Sequence, residues 1–368
     1  MAGLGVRSFG LGALLVAGVS GAGCSSRSST CRKTFAAQRW PDAVAACSRA
    51  LAGGDAASGG LLASAHLMMG HSAQALEVAE RLREGPARAA ALRTIAFVRE
   101  AEDPKAARAL AEEALALDLA HGQHAEAARD AHVLMGIHWK HGELSAALAT
   151  HEIDAREARL SGDRSLQGAA ELARGELWRR LGDAEVARAA YATALAYLDD
   201  RPSTRADIRL KQGRLEREVN HPAPAREAFL DALALASERR RPDIVNAALL
   251  NLAWAERASG RLPEAQRWLA QVTDVASADY AYEKGLELLA AGQAREAEVV
   301  LAAANLQGAQ AEAQYYVPLA RAEVARKLAR PAEVERHHRE AVAGVERILA
   351  ASREPELRAW IQEARREP

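Results

Sequence analysis

One short phrase returns nine times along this 368-residue chain. A turn residue is followed about five residues later by an alanine, and a further apolar or small residue comes four positions after that. The first copy reads Arg39-Trp40-Pro41-Asp42-Ala43…Cys47…Ala50-Leu51, and a middle one reads Gly182-Asp183-Ala184…Ala187…Tyr191…Ala194-Leu195. The anchors are Ala43, Ala75, Ala107, Ala147, Ala187, Ala225, Ala265, Ala297 and a degraded Val334, at intervals of 32, 32, 40, 40, 38, 40, 32 and 37. A period in this range, filled by helix-forming residues, marks a stacked array of helix hairpins. Each hairpin must bury one face on its own partner helix and another on the next hairpin.

Composition narrows the class further. Alanine, leucine, arginine and glutamate fill the space between the turns, all good helix formers, and no stretch shows the period-2 alternation of a strand. Aromatic residues make up only 4% of the chain, so the helices must meet through small side chains at close range. A formal net charge of −1 argues against a general nucleic-acid binder. Arginine far outnumbers lysine, which occurs only at 33, 105, 140, 211, 284 and 327.

The N-terminus is a separate object. Met1 to Arg7 is short and basic, and Phe9 to Val19 is an eleven-residue apolar run, too short to span a bilayer and suited to a signal-peptide core. Small residues Ser20 to Gly23 precede Cys24 and a serine-rich stretch. This resembles a bacterial lipoprotein signal. The resemblance implies lipidation of Cys24, removal of residues 1–23, a tether over 24–30, and, from the serine after the cysteine, an outer-membrane address facing the periplasm. Gly21 departs from the aliphatic residue that this pattern prefers, and ordinary secretion to the periplasm is the alternative. With Cys24 acylated, Cys31 and Cys47 remain as a pair. They lie equidistant from the turn residue Arg39, on facing sides of the first hairpin, where a disulfide would staple an end repeat. Two buried packing cysteines are the other reading.

The hairpins resemble tetratricopeptide repeats, best in Gly175…Gly182-Asp183…Ala187…Tyr191…Ala194, and well in Gly213…Ala225…Phe229…Ala232 and Gly285…Gly292…Ala297…Leu301…Ala304. No copy carries the family's full tryptophan-leucine-glycine-tyrosine set. The resemblance implies an all-α, right-handed α-solenoid of about nine hairpins over residues 31–350. Residues 351–368 are expected to form a capping helix and tail, with Leu357, Trp360 and Ile361 facing inward. Residues 53–60 and 159–165 read as loops between hairpins.

Chemistry-bearing motifs are scarce. Six histidines fall between His121 and His151, but no cysteine or carboxylate set completes a metal site. No glycine-rich phosphate loop, Gly-x-Ser-x-Gly elbow or His-Glu-x-x-His motif appears. No enzyme activity, cofactor or metal is therefore expected. In tetratricopeptide proteins the first helix of each hairpin lines the concave face. Counting one, four and five residues from each first-helix small residue marks Trp139, Lys140, Arg179, Arg180, Arg214, Arg217, Trp254, Arg257, Arg326 and Lys327. A groove of arginines with two tryptophans suits an acidic peptide or a C-terminal carboxylate. The resulting expectation is a non-enzymatic scaffold, anchored to the outer membrane only by lipid, holding an envelope partner of the pilus, secretin or cell-wall type. The alternative is a periplasmic binder of a small molecule or wall fragment that feeds a sensor or transport system.

Overall fold

A computed structural model describes residues 26–82, 85–306 and 312–351 of the chain. Cys24, the signal segment and the expected capping helix with Leu357, Trp360 and Ile361 lie outside the described residues.

The fold is all-α: eighteen helices among the described residues, pairing in order into nine hairpins. They are α1 (Ser26–Ala36) with α2 (Trp40–Ala52), α3 (Ser58–Met68) with α4 (Ser72–Arg81), and α5 (Pro86–Arg99) with α6 (Pro104–Ala120). Next come α7 (His124–Lys140) with α8 (Leu144–Ser161), α9 (Arg164–Arg180) with α10 (Ala184–Tyr197), and α11 (Pro202–Glu218) with α12 (Pro222–Glu238). The last three are α13 (Pro242–Ala258) with α14 (Leu262–Leu269), α15 (Ala278–Ala290) with α16 (Ala294–Ala302), and α17 (Ala313–Lys327) with α18 (Pro331–Ala351). They fall into two compact units divided between Ala173 and Arg174. Helix α1 takes in Ser26–Thr30, which the sequence reading assigned to a tether. The two inter-hairpin loops are also shorter than expected, because α3 begins at Ser58 and α8 runs to Ser161.

The recurring phrase has a single physical meaning. Every anchor is the fourth residue of a second helix. There its N–H is the first to reach an intrahelical carbonyl, as from Ala187 to Asp183 O at 3.1 Å and from Ala225 to His221 O at 3.1 Å. All eight anchor alanines are fully buried, while Val334 is only half-buried. Five residues before each anchor the chain turns through the left-handed region, at Gln38, Gly70, Gly142, Gly182, Asn220, Gly260, Gly292 and Ala329. Glycine predominates there because it carries no Cβ penalty. Only the third hairpin, with Glu102 at that position, turns differently. The helix starts carry their own signals: Asp103, Asp183 and Ser277 accept the N–H of Ala106, Val186 and Tyr280.

A second contact repeats at a fixed spacing. A Cβ added to Gly175 would meet the Tyr191 ring at 2.5 Å, to Gly213 the Phe229 ring at 2.3 Å, and to Gly285 the Leu301 side chain at 2.6 Å. Each pair is 16 residues apart, the separation that also joins Cys31 to Cys47. The first hairpin therefore places a disulfide, with Cα atoms 4.6 Å apart, where the later ones place a glycine under a large side chain. Longer repeat intervals go into longer helices: α7 to α9 and α11 to α13 have 17 or 18 residues, against 10 to 13 in α1 to α4.

Consecutive hairpins are tied by polar contacts one residue past the anchor. Arg188 Nε donates to Glu216 at 2.7 Å, Arg226 Nε to Glu256 at 2.7 Å, and Gln266 Nε2 to Glu287 at 2.7 Å. Arg108 reaches Glu143 at 2.5 Å in the same way, and at Glu298 the charges are reversed, with Arg330 donating at 2.6 Å. Glu256 and Glu287 are buried to 1% exposure. A carboxylate so removed from water must be paired, so each tie also orients its two helices.

Candidate functional site

The first helices of the second unit carry a polar face assembled from one register. On α9, Glu176 and Arg179 lie one and four residues after Gly175. On α11, Arg214, Arg217 and Glu218 lie one, four and five after Gly213, and on α13 Trp254 and Arg257 lie one and four after Ala253. The close packing of Gly213 on Phe229 fixes the rotation of α11, and with it the positions of Arg214 and Arg217 along the helix.

These residues are brought together, but as a network rather than as a row of free cations. Arg217 donates to Asn251 Oδ1 at 2.8 Å and to Glu283 Oε1 at 2.5 Å, and lies 5.2 Å from the centroid of the Trp254 ring. Arg257 donates to the other oxygen of Glu283 at 2.9 Å. Arg179 is paired with Glu218 and lies 3.5 Å from Glu176, and Lys211 is 3.0 Å from Glu176. Tyr191 donates its hydroxyl to the same carboxylate. Burial alone would raise the pKa of Glu176, but the charges of Lys211 and Arg179 and the Tyr191 hydroxyl bring it down to about 2. It is a permanent anion inside the wall. Farther along, Tyr282 and Tyr316 meet at a tilt of 56° with ring centroids 4.6 Å apart, and Tyr316 donates its hydroxyl to Asp279.

Two arginines of the face remain exposed, Arg180 and Arg214. Desolvation and the neighbouring Arg179 hold Arg180 below its ordinary pKa, against the pull of Glu176, Glu312 and Glu218. Desolvation, with the like charges of Arg179 and Arg217, does the same to Arg214 against Glu176 and Asp279.

The remaining residues named from sequence behave differently. Trp139 is only 8% exposed, so its ring belongs to the packing of the first unit rather than to a surface. Lys140 is held by Glu100 at 2.5 Å. Arg326 pairs with Glu323 on its own helix, and Lys327 is exposed. The acids Glu176, Glu218 and Glu283 and the tyrosines 282, 315 and 316 were absent from the sequence-derived set. Glu176 and Glu218 nonetheless occupy the counted positions one and five, so attention to cations alone passed over them.

Four histidines on or next to α7 pair with carboxylates. His124 meets Glu157 at 2.7 Å, His132 meets Asp154 at 2.9 Å, His138 meets Glu143 at 2.7 Å and His141 meets Glu100 at 3.1 Å. No group of three or more metal-ligating side chains occurs among the described residues. No helix among the described residues is long and apolar enough to cross a membrane.

No family model and no curated protein matches the sequence. The structure is similar to the apo form of RapI, with a TM-score of 0.66 at 10% identity over 88% of this chain and 98% of that one. It also resembles a tetratricopeptide repeat protein from Parabacteroides merdae (TM-score 0.49, 15% identity, 77% of this chain and 99% of that one). A third likeness is to PilW, a type IV pilus biogenesis factor (TM-score 0.46, 19% identity, 64% of this chain and 98% of that one). From its own hairpin geometry and from the first of these likenesses, the chain has the all-α fold of tetratricopeptide-type helix hairpins.

Proposed function

We propose that this protein is a non-enzymatic interaction scaffold that holds a protein partner on the first-helix face of its second unit. The observation that supports this is the arrangement around Arg180 and Arg214. Exposed arginines stand beside a wall of half-buried ion pairs and the Arg217–Trp254 contact. Such a surface binds without reordering its own side chains, which removes part of the entropic cost of association. The lipid anchor at Cys24, the outer-membrane address and an envelope partner are part of the same proposal, and they rest on the sequence of residues 1–30.

Crosslinking pull-down from intact cells tests it. Exchanging Arg179 and Arg217 would disturb the wall, because they neutralise Glu176, Glu218 and Glu283. The informative variant is therefore Arg180→Glu with Arg214→Glu, two exposed positions whose charge contributes little to stability. Partner capture should be lost while helical content holds, and Cys24→Ala should move the protein from the membrane pellet to the soluble fraction. Intact capture by the double variant would refute the face.

A further inference from the structure

The first hairpin leaves no room for a spacer between a lipid anchor and the folded body. Helix α1 begins at Ser26, two residues after Cys24, and two residues of extended chain reach only about 7 Å. An acyl group on Cys24 would therefore hold the start of α1 at the level of the lipid headgroups. The Cys31–Cys47 disulfide ties α1 to α2, so both helices are held there as one piece.

The charge of this hairpin differs from that of the chain. Residues 26–52 carry five cations, Arg27, Arg32, Lys33, Arg39 and Arg49, against one acid, Asp42, in a protein of formal net charge −1. Asp42 pairs with Arg39 at the turn, the end of the hairpin away from Cys24. Arg27, Lys33 and Arg49 are exposed. Antiparallel pairing brings the first turn of α1 beside the last turn of α2, which holds Arg49. Arg27 Nη1 lies there, 3.3 Å from where a Cβ on Gly53 would stand. Asp55, just beyond α2, accepts the Ser58 hydroxyl at 2.6 Å and has the charge of Arg32 beside it.

Exposed cations on both helices, at the level of the headgroups, are complementary to an anionic lipid surface. We propose that Arg27, Lys33 and Arg49 dock the first hairpin on anionic phospholipid headgroups, making it a fixed foot rather than the end of a swinging tether. This rests on the lipid-anchor reading above and adds to it the surface that the first hairpin meets. Without the acyl group the contact is weak and reversible, so Cys24→Ala still leaves the membrane pellet.

Vesicle flotation tests the contact on the full chain carrying Cys24→Ala, which cannot be acylated at that position. The vesicles are phosphatidylcholine, with or without phosphatidylglycerol, and the neutral ones control for binding by the apolar run Phe9 to Val19. Binding should be stronger to the phosphatidylglycerol vesicles, and molar salt, which shortens the screening length to about 3 Å, should erase the difference. Each cation at an anionic surface contributes about fivefold, so adding Arg27→Gln, Lys33→Gln and Arg49→Gln should weaken that binding by about a hundredfold. Removing three exposed cations from the second unit, through Arg239→Gln, Arg240→Gln and Lys327→Gln, should leave it unchanged. Equal binding to both kinds of vesicle, or equal loss in the two triple variants, overturns the docking surface. The two readings fail separately. Cys24 found without an acyl group by mass spectrometry of the cellular protein, with vesicle binding that depends on the three cations, defeats only the lipid anchor. Acylated Cys24 with vesicle binding indifferent to those cations defeats only the docking surface.

Discussion

Replacing Asp118 by asparagine should stabilise the first unit at neutral pH and leave it unchanged in mild acid. Asp118 near the end of α6 and Asp130 on α7 are both fully buried. The two carboxyls act on each other, the pKa of each is raised mainly by burial, and two buried acids so placed favour a proton on one of them. One buried cation serves the site: Arg93 on α5 donates to Asp130 Oδ1 at 2.9 Å and to Glu126 Oε2 at 2.8 Å. Neither oxygen of Asp118, nor Asp130 Oδ2, finds a conventional donor among the described residues. Burial, only partly offset by the neighbouring Asp130 carboxyl and the charge of Arg93, raises Asp118 from 3.8 to about 6, and burial raises Asp130 further.

The sign follows from linkage. A carboxyl whose folded pKa lies above its unfolded value binds more protons in the folded state, so stability is full below 3.8 and falls as pH rises towards 6. A shift of this size corresponds to about 3 kcal/mol at pH 7. Asparagine cannot ionise, and its amide N–H can donate to the open Asp130 Oδ2. Urea melts of both proteins, followed by circular dichroism from pH 4 to 7.5, should show the variant gaining about 2–3 kcal/mol at pH 7. That gain should shrink to nothing near pH 4. A gain that is flat with pH, or a variant less stable than wild type at pH 7, would refute the proton-sharing account.

Two further outcomes follow from the second unit. Gly213→Ala places a methyl 2.3 Å from the fully buried Phe229 ring and should cost roughly 1–3 kcal/mol despite the better helix propensity of alanine. Pairing it with Phe229→Leu should recover part of the loss in thermal melts, and no loss in the single variant would contradict the close approach. Glu176, with its pKa depressed from 4.5 to about 2, contributes stability that is present above 4.5 and lost as pH falls towards 2. Glu176→Gln should therefore be less stable by up to about 3 kcal/mol at pH 6 and no different near pH 2. An unchanged acid-unfolding profile would remove Glu176 from the wall.

The local repeat determined the hairpins. Anchor alanines mark the fourth residue of the first eight second helices because that is where the helix both closes its first backbone bond and presses on its partner, and all eight are fully buried. The left-handed turn five residues earlier is equally local, and so are the 16-residue pairs such as Gly175 with Tyr191, because the turn fixes which residues of two short helices face each other. All of these are legible in one chain. The inter-hairpin ties were also written in it, one residue after each anchor, but their partners lie 21 to 35 residues away, at a spacing that varies with helix length.

Tertiary structure alone decided which charges are free. Arg217 reaches Glu283 across 66 residues of sequence, whereas Arg214, three residues before it, is exposed. Residue type and register placed ten residues on a face. Burial withdrew Trp139 from it, and ion pairs with other first helices turned Arg179, Arg217 and Arg257 into wall. Electrostatic pairing depends on three-dimensional distance and desolvation, neither of which a periodic sequence encodes.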